Sequence, residues 1–467
     1  MKSHAHNAVP QNPNTIHEPS SIGRLFPPLW LGLVAAIAVG TAGPRASGDE
    51  RPYQFQVVTH VGGAAPGGGA FVNDFEPTAL NNKGQLVFTA EPDMPGEEGA
   101  FLADGGTIQP MARFGQSAPG GGSFSLYELG NIGLNDSGDA AFGFMLDPLD
   151  FGPPVHGGLY RWSHSTRMLS AAVVPNVTPD PNGGVFVGVD FNTSLNNRGD
   201  VAFIGYVTDT PVGLGEGFFI QSRSGSISTI ARTGDSSPDG GTFVLSSDTA
   251  PMSAVINDAG DVAFEGNTTL EPDVHYNKLY VRRATTGKIE LVPRPAGIFR
   301  TVSLAINNPG DIAFGGRYAE GRGVWLRSGG QTRLIARTGD PAPGGGTFSY
   351  ITGASYFGDM ALNNAGDVAF EASATLSDGS LDEAAYYYSS GTKTLRRLAG
   401  IGTVIPGHGT IVSLEQVGAL VFPGVPVTGV PFSYMALNDR GQVAFVATVT
   451  DGATVYGVLL LGTPEGP

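Results

Sequence analysis

The sequence predicts an all-β chain, a seven-bladed β-propeller of four-stranded blades closed by an N-terminal strand that pairs into the last, C-terminal blade. Three observations carry this. One motif, "ALNNKGQLVFTA" at 79–90, is written seven times. A second, glycine-rich motif interleaves with it. The array is also out of phase, with a lone strand before its first copy and one strand too few after its last.

The chain opens differently from its body. Residues 1–46 form a polar, low-complexity start followed by "LWLGLVAAIAVGTAG", an apolar run behind Arg24 that ends in small residues around Gly40, Ala42 and Ala46. That run has the length of a signal peptide and is short for a membrane span. The expectation is a secreted or cell-surface protein with no membrane span in its mature form, its propeller at 51–462 and a short tail at 463–467. There is no cysteine, so an exported body must be held by packing and strand pairing.

With 70 Gly and 34 Pro in 467 residues, turn formers punctuate the chain and its elements must be short. Beyond the first 45 residues no three-turn window keeps helical apolar spacing without Gly or Pro, whereas β-branched and aromatic clusters recur. The net charge is −16, and residues 1–46 hold Lys2, Arg24 and Arg45 against Glu18, so the body alone is two charges more negative. Phosphate binding needs a basic stripe, and none is visible; nucleic acid is excluded as a partner, and anionic membrane surfaces are disfavoured.

The seven motif copies begin at Asn81, Asn135, Asn196, Asn257, Asn307, Asn363 and Asn438, 50 to 75 residues apart. This period is too long for a β-solenoid rung and suits a four-stranded blade. Between them run "IARTGDPAPGGGTF" (335–348) and its relatives at 58–71, 111–124 and 230–243, with looser copies near Val173, Leu291 and Leu398. Each unit therefore reads as strand A ending at Leu-Asn, a turn, strand B (Asp-Val-Ala-Phe), a variable loop, strand C ("GVWLRSG", 323–329), a turn, and strand D ("TRLIART", 332–338). The body starts with a strand D, "YQFQVVTH" (53–60), and ends on a strand C, "YGVLLLG" (456–462). Pairing the two removes two sheet edges that would otherwise expose unpaired backbone groups.

Within the motif, the glycine fits a position of positive φ. Pro309 suggests a type II turn, with Asn308, Pro309 and Gly310 at its first three positions, because proline is disfavoured at the third position of a type I turn. The first asparagine never varies, as if its amide were needed both as donor and as acceptor across the turn. Phe88, Phe142, Phe203, Phe264, Phe314, Phe370 and Phe445 should enter the layers between blades. In "LNNRGDVAF", Arg198-Gly199-Asp200 is the same turn with arginine in its variable slot, and not an adhesion signal.

The pattern Asn-x-x-Gly-x-x-Ala-Phe resembles the NxxGxxAF tandem-repeat (choice-of-anchor) family of bacterial secreted and surface proteins. All seven copies match Asn, Gly and Phe, and only Leu86-Val87-Phe88 departs from Ala-Phe. The resemblance implies secretion and a repeat scaffold; it implies no activity, cofactor or catalytic residue. No apolar helix or basic cluster follows "LGTPEGP", so covalent anchoring is not expected.

Signatures of chemistry are sparse. "GASYFG" lacks the second glycine of a nucleophile elbow, the Gly-rich loops lack Gly-Lys-Ser/Thr, and the histidines share no spacing. A calcium reading of "NDSGD" is not favoured, because Gln85 and Gln442 replace Asp in two copies and no bidentate Glu follows. No cofactor and no catalytic residue is expected, and a monomer is. Function is sought instead in the B–C loops, which vary in length and are acidic: Glu91, Asp93, Asp147, Asp150, Glu271, Asp273 and Asp378 are the candidate binding residues. They suit a non-enzymatic scaffold that binds an extracellular protein or glycan. The alternative is an extracellular polysaccharide hydrolase or lyase using carboxylates around a central funnel.

Overall fold

A computed structural model describes residues 52–93, 98–125, 130–147, 157–210, 213–245, 253–270, 277–351, 360–414 and 434–466. The expected 1–46 leader and the candidate residues Asp150, Glu271 and Asp273 lie outside the described residues. Among those described, every regular element is a β-strand, and the strands form seven separate antiparallel sheets. None is long and apolar in the manner of a membrane-crossing helix.

The blade order follows the repeat. Blade 1 consists of Phe71–Leu80, Leu86–Pro92, Gly99–Asp104 and Thr107–Arg113, paired in sequence order. Blades 3 and 5 repeat this pattern, the latter with Arg300–Ile306, Ile312–Tyr318, Gly321–Ser328 and Gln331–Arg337. In blades 2, 4, 6 and 7 the described residues of strand A form two pieces on the same strand B. Ser123–Phe124 and Gly133–Leu134, for example, both pair with Ala140–Asp147.

Blade 7 joins the two ends of the chain. Tyr53–His60 pairs antiparallel with Val455–Pro464, from Tyr53 opposite Pro464 to His60 opposite Val458. The closing strand thus extends two residues past the expected boundary at 462. Tyr53 Oη donates to the Gly441 carbonyl at 2.7 Å, and the Arg396 guanidinium lies 5.0 Å from the Tyr53 ring and 5.1 Å from Tyr387, tying the closing strand to blade 6.

The inner strands are buried at successive positions, as along Leu86–Pro92 and Val262–Thr268, and successive side chains point to opposite faces, so each sheet has two buried faces and the core lies in layers between blades. Ala100, Leu102, Phe142 and Tyr160 fill the layer between blades 1 and 2, and Val302, Val324, Phe348 and Tyr386 that between blades 5 and 6. All seven motif phenylalanines are fully buried. Truncating one to alanine should cost about 3–5 kcal/mol.

The A–B turn differs from the expected frame. Gly310 N–H donates to the Asn307 carbonyl at 3.0 Å and Asn307 N–H to the Asp311 carbonyl at 3.1 Å. This is a three-residue hairpin loop whose glycine, at φ +87°, follows the turn proper. Pro309 therefore occupies the third turn position and not the second. The general disfavour for proline there is overridden by the strand register, which fixes both ends of the loop.

Candidate functional site

The A–B turns meet around the central axis. In each, the first asparagine is buried and its side-chain oxygen accepts backbone N–H groups of its own turn: Asn81 Oδ1 takes those of Lys83 and Gln85, both at 3.0 Å, and Asn363 Oδ1 those of Ala365 and Asp367. The side-chain nitrogen points the other way, to the next blade. Asn81 Nδ2 donates to the Asn135 carbonyl, Asn196 to Asn257, Asn257 to Asn307, Asn307 to Asn363, Asn363 to Asn438 and Asn438 to Asn81, at 2.9–3.3 Å. One amide closes a turn and joins two blades, which neither aspartate nor leucine could do.

The next residue builds a second ring that sequence reasoning missed. Asn82 N–H donates to Asp136 Oδ1, Asp136 N–H to Asn197, Asn197 N–H to Asp258, Asp258 N–H to Asn308, Asn308 N–H to Asn364, Asn364 N–H to Asp439, and Asp439 N–H back to Asn82. All seven links measure 2.7–2.9 Å. The aspartate Oδ2 atoms accept asparagine Nδ2 donors from both sides, as Asp136 does from Asn82 and Asn197. The readable signal was the restriction of this position to Asn and Asp alone, since only those two place an acceptor at this reach.

The motif aspartate turns outward along its own blade. Asp139, Asp261 and Asp367 each accept the backbone N–H of a C–D hairpin residue, His164, Ala284 and Ser390 respectively. Where glutamine replaces it, Gln85 Nε2 reaches Asp104 and Gln442 Nε2 reaches Thr463. Asp200 does the same for Arg223, and Arg198 closes onto Asp200 at 3.1 Å, so the Arg-Gly-Asp tripeptide is folded on itself.

These rings line a depression of about 230 Å³ at the axis, with Leu80, Leu134, Leu195, Ile256, Ile306, Leu362 and Leu437 as an aliphatic collar. Its carboxylates are saturated by N–H donors. Among the described residues no group of three or more histidine or acidic side chains is placed to hold a metal ion. A second depression of about 240 Å³, between blades 2 and 3, holds Arg161, whose guanidinium is occupied by Gln221 and by the carbonyls of Gly199 and Ser222.

The described candidate acidic residues stand on three different blades, 1, 2 and 6. Glu91 lies within strand Leu86–Pro92. Asp93 accepts the Ala70 N–H of the adjoining Gly-rich loop, Asp147 ends its strand exposed, and Asp378 accepts both the N–H and hydroxyl of Ser380, which hold its carboxyl below the usual range. Two further acidic residues of these loops are structural: Asp382 forms a two-bond pair with Arg397, and Glu383 accepts from Ser413 and Leu414.

The face bearing the B–C and D–A loops also carries a cationic row on blade 5. Arg300 stands opposite Arg317, and Arg317 opposite Arg322, on three adjacent strands. Arg322 lies 4.0 Å from the Tyr350 ring of blade 6. Behind the row, burial pushes the Glu265 carboxyl up to about 8 against the pull of Arg300, and burial lowers Arg300 to about 10.

Residues 49–294 and 296–465 match the model of a family described as a family of unknown function, DUF7453. No curated protein matches the sequence. Among solved structures, an oligogalacturonate lyase from Vibrio parahaemolyticus is similar at 10% identity and a TM-score of 0.48, over 90% of this chain and 98% of that one. An oligogalacturonate lyase in complex with manganese is similar at 12% identity and a TM-score of 0.48, over 89% and 97%. The β-propeller domain of the trilobed protease from Pyrococcus furiosus is similar at 9% identity and a TM-score of 0.45, over 84% and 94%. These likenesses are of fold alone.

Proposed function

We propose that this chain, which belongs to the DUF7453 family of unknown function, is a secreted repeat scaffold that binds an extracellular protein or glycan through the face carrying its B–C and D–A loops. One observation carries the reading. On the opposite face the second-residue ring spends its backbone N–H groups and its side-chain acceptors within itself. Groups so saturated have little left to offer a ligand, whereas loops that vary on a repeated frame do. The NxxGxxAF resemblance supports the same view of a secreted scaffold.

A hydrolase or lyase acting on extracellular polysaccharide is the second reading. It is favoured by Glu265, whose raised carboxyl holds a proton near neutral pH beside a guanidinium.

The test is a glycan-array and pull-down screen of the secreted protein, with and without calcium, followed by product analysis on any polysaccharide retained. Binding without turnover supports the scaffold, and neutralising Asp147, Asp150, Glu271 and Asp273 together should weaken it. Release of shortened or unsaturated sugar would establish the enzyme instead.

A further inference from the structure

The junction between blades 2 and 3 breaks the pattern of the other turns. Asn135 is buried, and its Oδ1 accepts the N–H groups of Ser137 and Asp139 at 2.9 and 3.0 Å, as its counterparts do. Its Nδ2, alone of the seven, has no hydrogen-bond partner among the described residues. The aspartate of the same turn is also half used: Asp139 Oδ1 accepts the His164 N–H at 3.0 Å, while its Oδ2 has no donor among the described residues. Elsewhere that atom is taken. In blades 3, 5 and 6 it accepts the turn's own amide, as Asp311 Oδ2 does from Asn307 at 3.1 Å; in blades 1 and 7 a glutamine oxygen does the same; and in blade 4 Asp261 Oδ2 takes the Arg283 guanidinium at 2.9 Å. Other bonds hold blades 2 and 3 together: Thr193 donates its N–H and its hydroxyl to the Asn131 carbonyl at 3.1 and 3.0 Å, and Arg161 reaches the Gly199 carbonyl at 2.7 Å. Asn135 and Asp139 both line the depression of about 240 Å³ at this junction.

The geometry points to a sugar-binding site in this depression, in which one ring hydroxyl accepts from Asn135 Nδ2 and its neighbour donates to Asp139 Oδ2. A hydroxyl is donor and acceptor at once, so a vicinal pair answers both groups. A carboxylate or phosphate would be set against the Asp139 carboxylate, and a metal cation against the Asn135 N–H groups and the Arg161 guanidinium. The walls are fixed before any ligand arrives: Arg161 is held by Gln221, Gly199 and Ser222, Arg198 is paired with Asp200, and Trp162 is buried. A site already ordered loses less entropy on binding. The depression lies among A–B turns and C–D hairpins, on the face away from the variable loops, so the inference goes beyond the binding reading above and does not depend on it.

The full-length protein is probed by saturation-transfer NMR with the methyl glycosides of glucose, galactose, mannose and fucose, with cyclohexanol, and with sulfate as a competitor. At least one glycoside is expected to bind, cyclohexanol is not, and sulfate should leave the signal unchanged. Asp139→Asn keeps an acceptor for the His164 N–H and turns the open oxygen into a donor; Asn135→Asp keeps the turn's acceptor and loses the donor. Each should weaken glycoside binding at least tenfold. Should these variants fail to fold, Ser137→Trp decides. Ser137 is exposed on the wall of the depression, in the slot that holds Lys83, Arg198 and Arg440 in other copies, so the turn accepts a large side chain there. The indole would cover the depression, and binding must be lost. Silence from all four glycosides, displacement by sulfate, equal binding of cyclohexanol, or unchanged binding in Ser137→Trp would overturn the site. Binding that survives neutralisation of Asp147, Asp150, Glu271 and Asp273 but not Ser137→Trp supports it; the opposite pattern would remove it and leave the loop-face scaffold standing.

Discussion

Asn438 Nδ2 donates to the backbone carbonyl of Asn81 at 2.9 Å, joining the last blade to the first across 357 positions of sequence. Strand pairing completes blade 7, and this amide, with the Asp439–Asn82 bonds and a shared apolar layer, ties that blade to blade 1. Asn438→Asp keeps the acceptor for Arg440 and Gln442 N–H and sets an oxygen against the Asn81 carbonyl. A buried group left facing its like costs about 1–3 kcal/mol, more when charged. Urea denaturation should show a loss of this size, while Asp439→Asn, one residue on and exposed, should stay close to the wild type.

Arg396 lies between two tyrosine rings at the seam, and Arg396→Ala should loosen the closing strand first. Cation–π contacts contribute about 0.5–2 kcal/mol. Hydrogen exchange should show faster exchange at 53–60, with the strands of blade 3 unaffected. Uniform acceleration throughout the body would mean that the seam and the ring open together.

Glu265 predicts a pH dependence. Its folded value, about 8, lies above the ordinary carboxyl value of 4.5, so the folded state holds a proton that the unfolded state has released. That contribution is fully present below about pH 4.5, and stability falls as pH rises toward 8. Glu265→Gln should remove this decline, which is on the order of 5 kcal/mol over the whole window. Denaturant midpoints of both proteins at pH 5 and 8 measure it; parallel declines would refute the assignment.

Calcium should find no tight site at the A–B turns, because the motif aspartates accept hairpin N–H groups and the ring aspartates accept asparagine donors. Calorimetric titration of chelator-treated protein with calcium should be flat in the micromolar range. Several strong sites would show that metal displaces these bonds.

The architecture was legible because a propeller writes its blade seven times and its seam as a phase shift, both visible without coordinates. The core was legible through the fixed distance from motif asparagine to phenylalanine. The turn frame was misread because Pro309 was judged by local preference, whereas strand register decides it. The second ring was invisible to reasoning within one unit, since its bonds run between copies; Asn82 and Asp136 acquire meaning only side by side. The arginine row escaped notice for a similar reason: 300, 317 and 322 look unrelated until three strands are laid in register.

Seven is an odd number, and the second ring feels it. Around the axis the order is Asn82, Asp136, Asn197, Asp258, Asn308, Asn364, Asp439, an alternation that an odd cycle cannot complete. Asn82 and Asn197 each bridge two aspartates, while Asn308 reaches only Asp258 and Asn364 only Asp439. The misfit is confined to a single junction, between blades 5 and 6. An array of eight units with an aspartate inserted there would alternate perfectly, so in this chain it is the odd number of blades that imposes one like-to-like junction on a two-letter code.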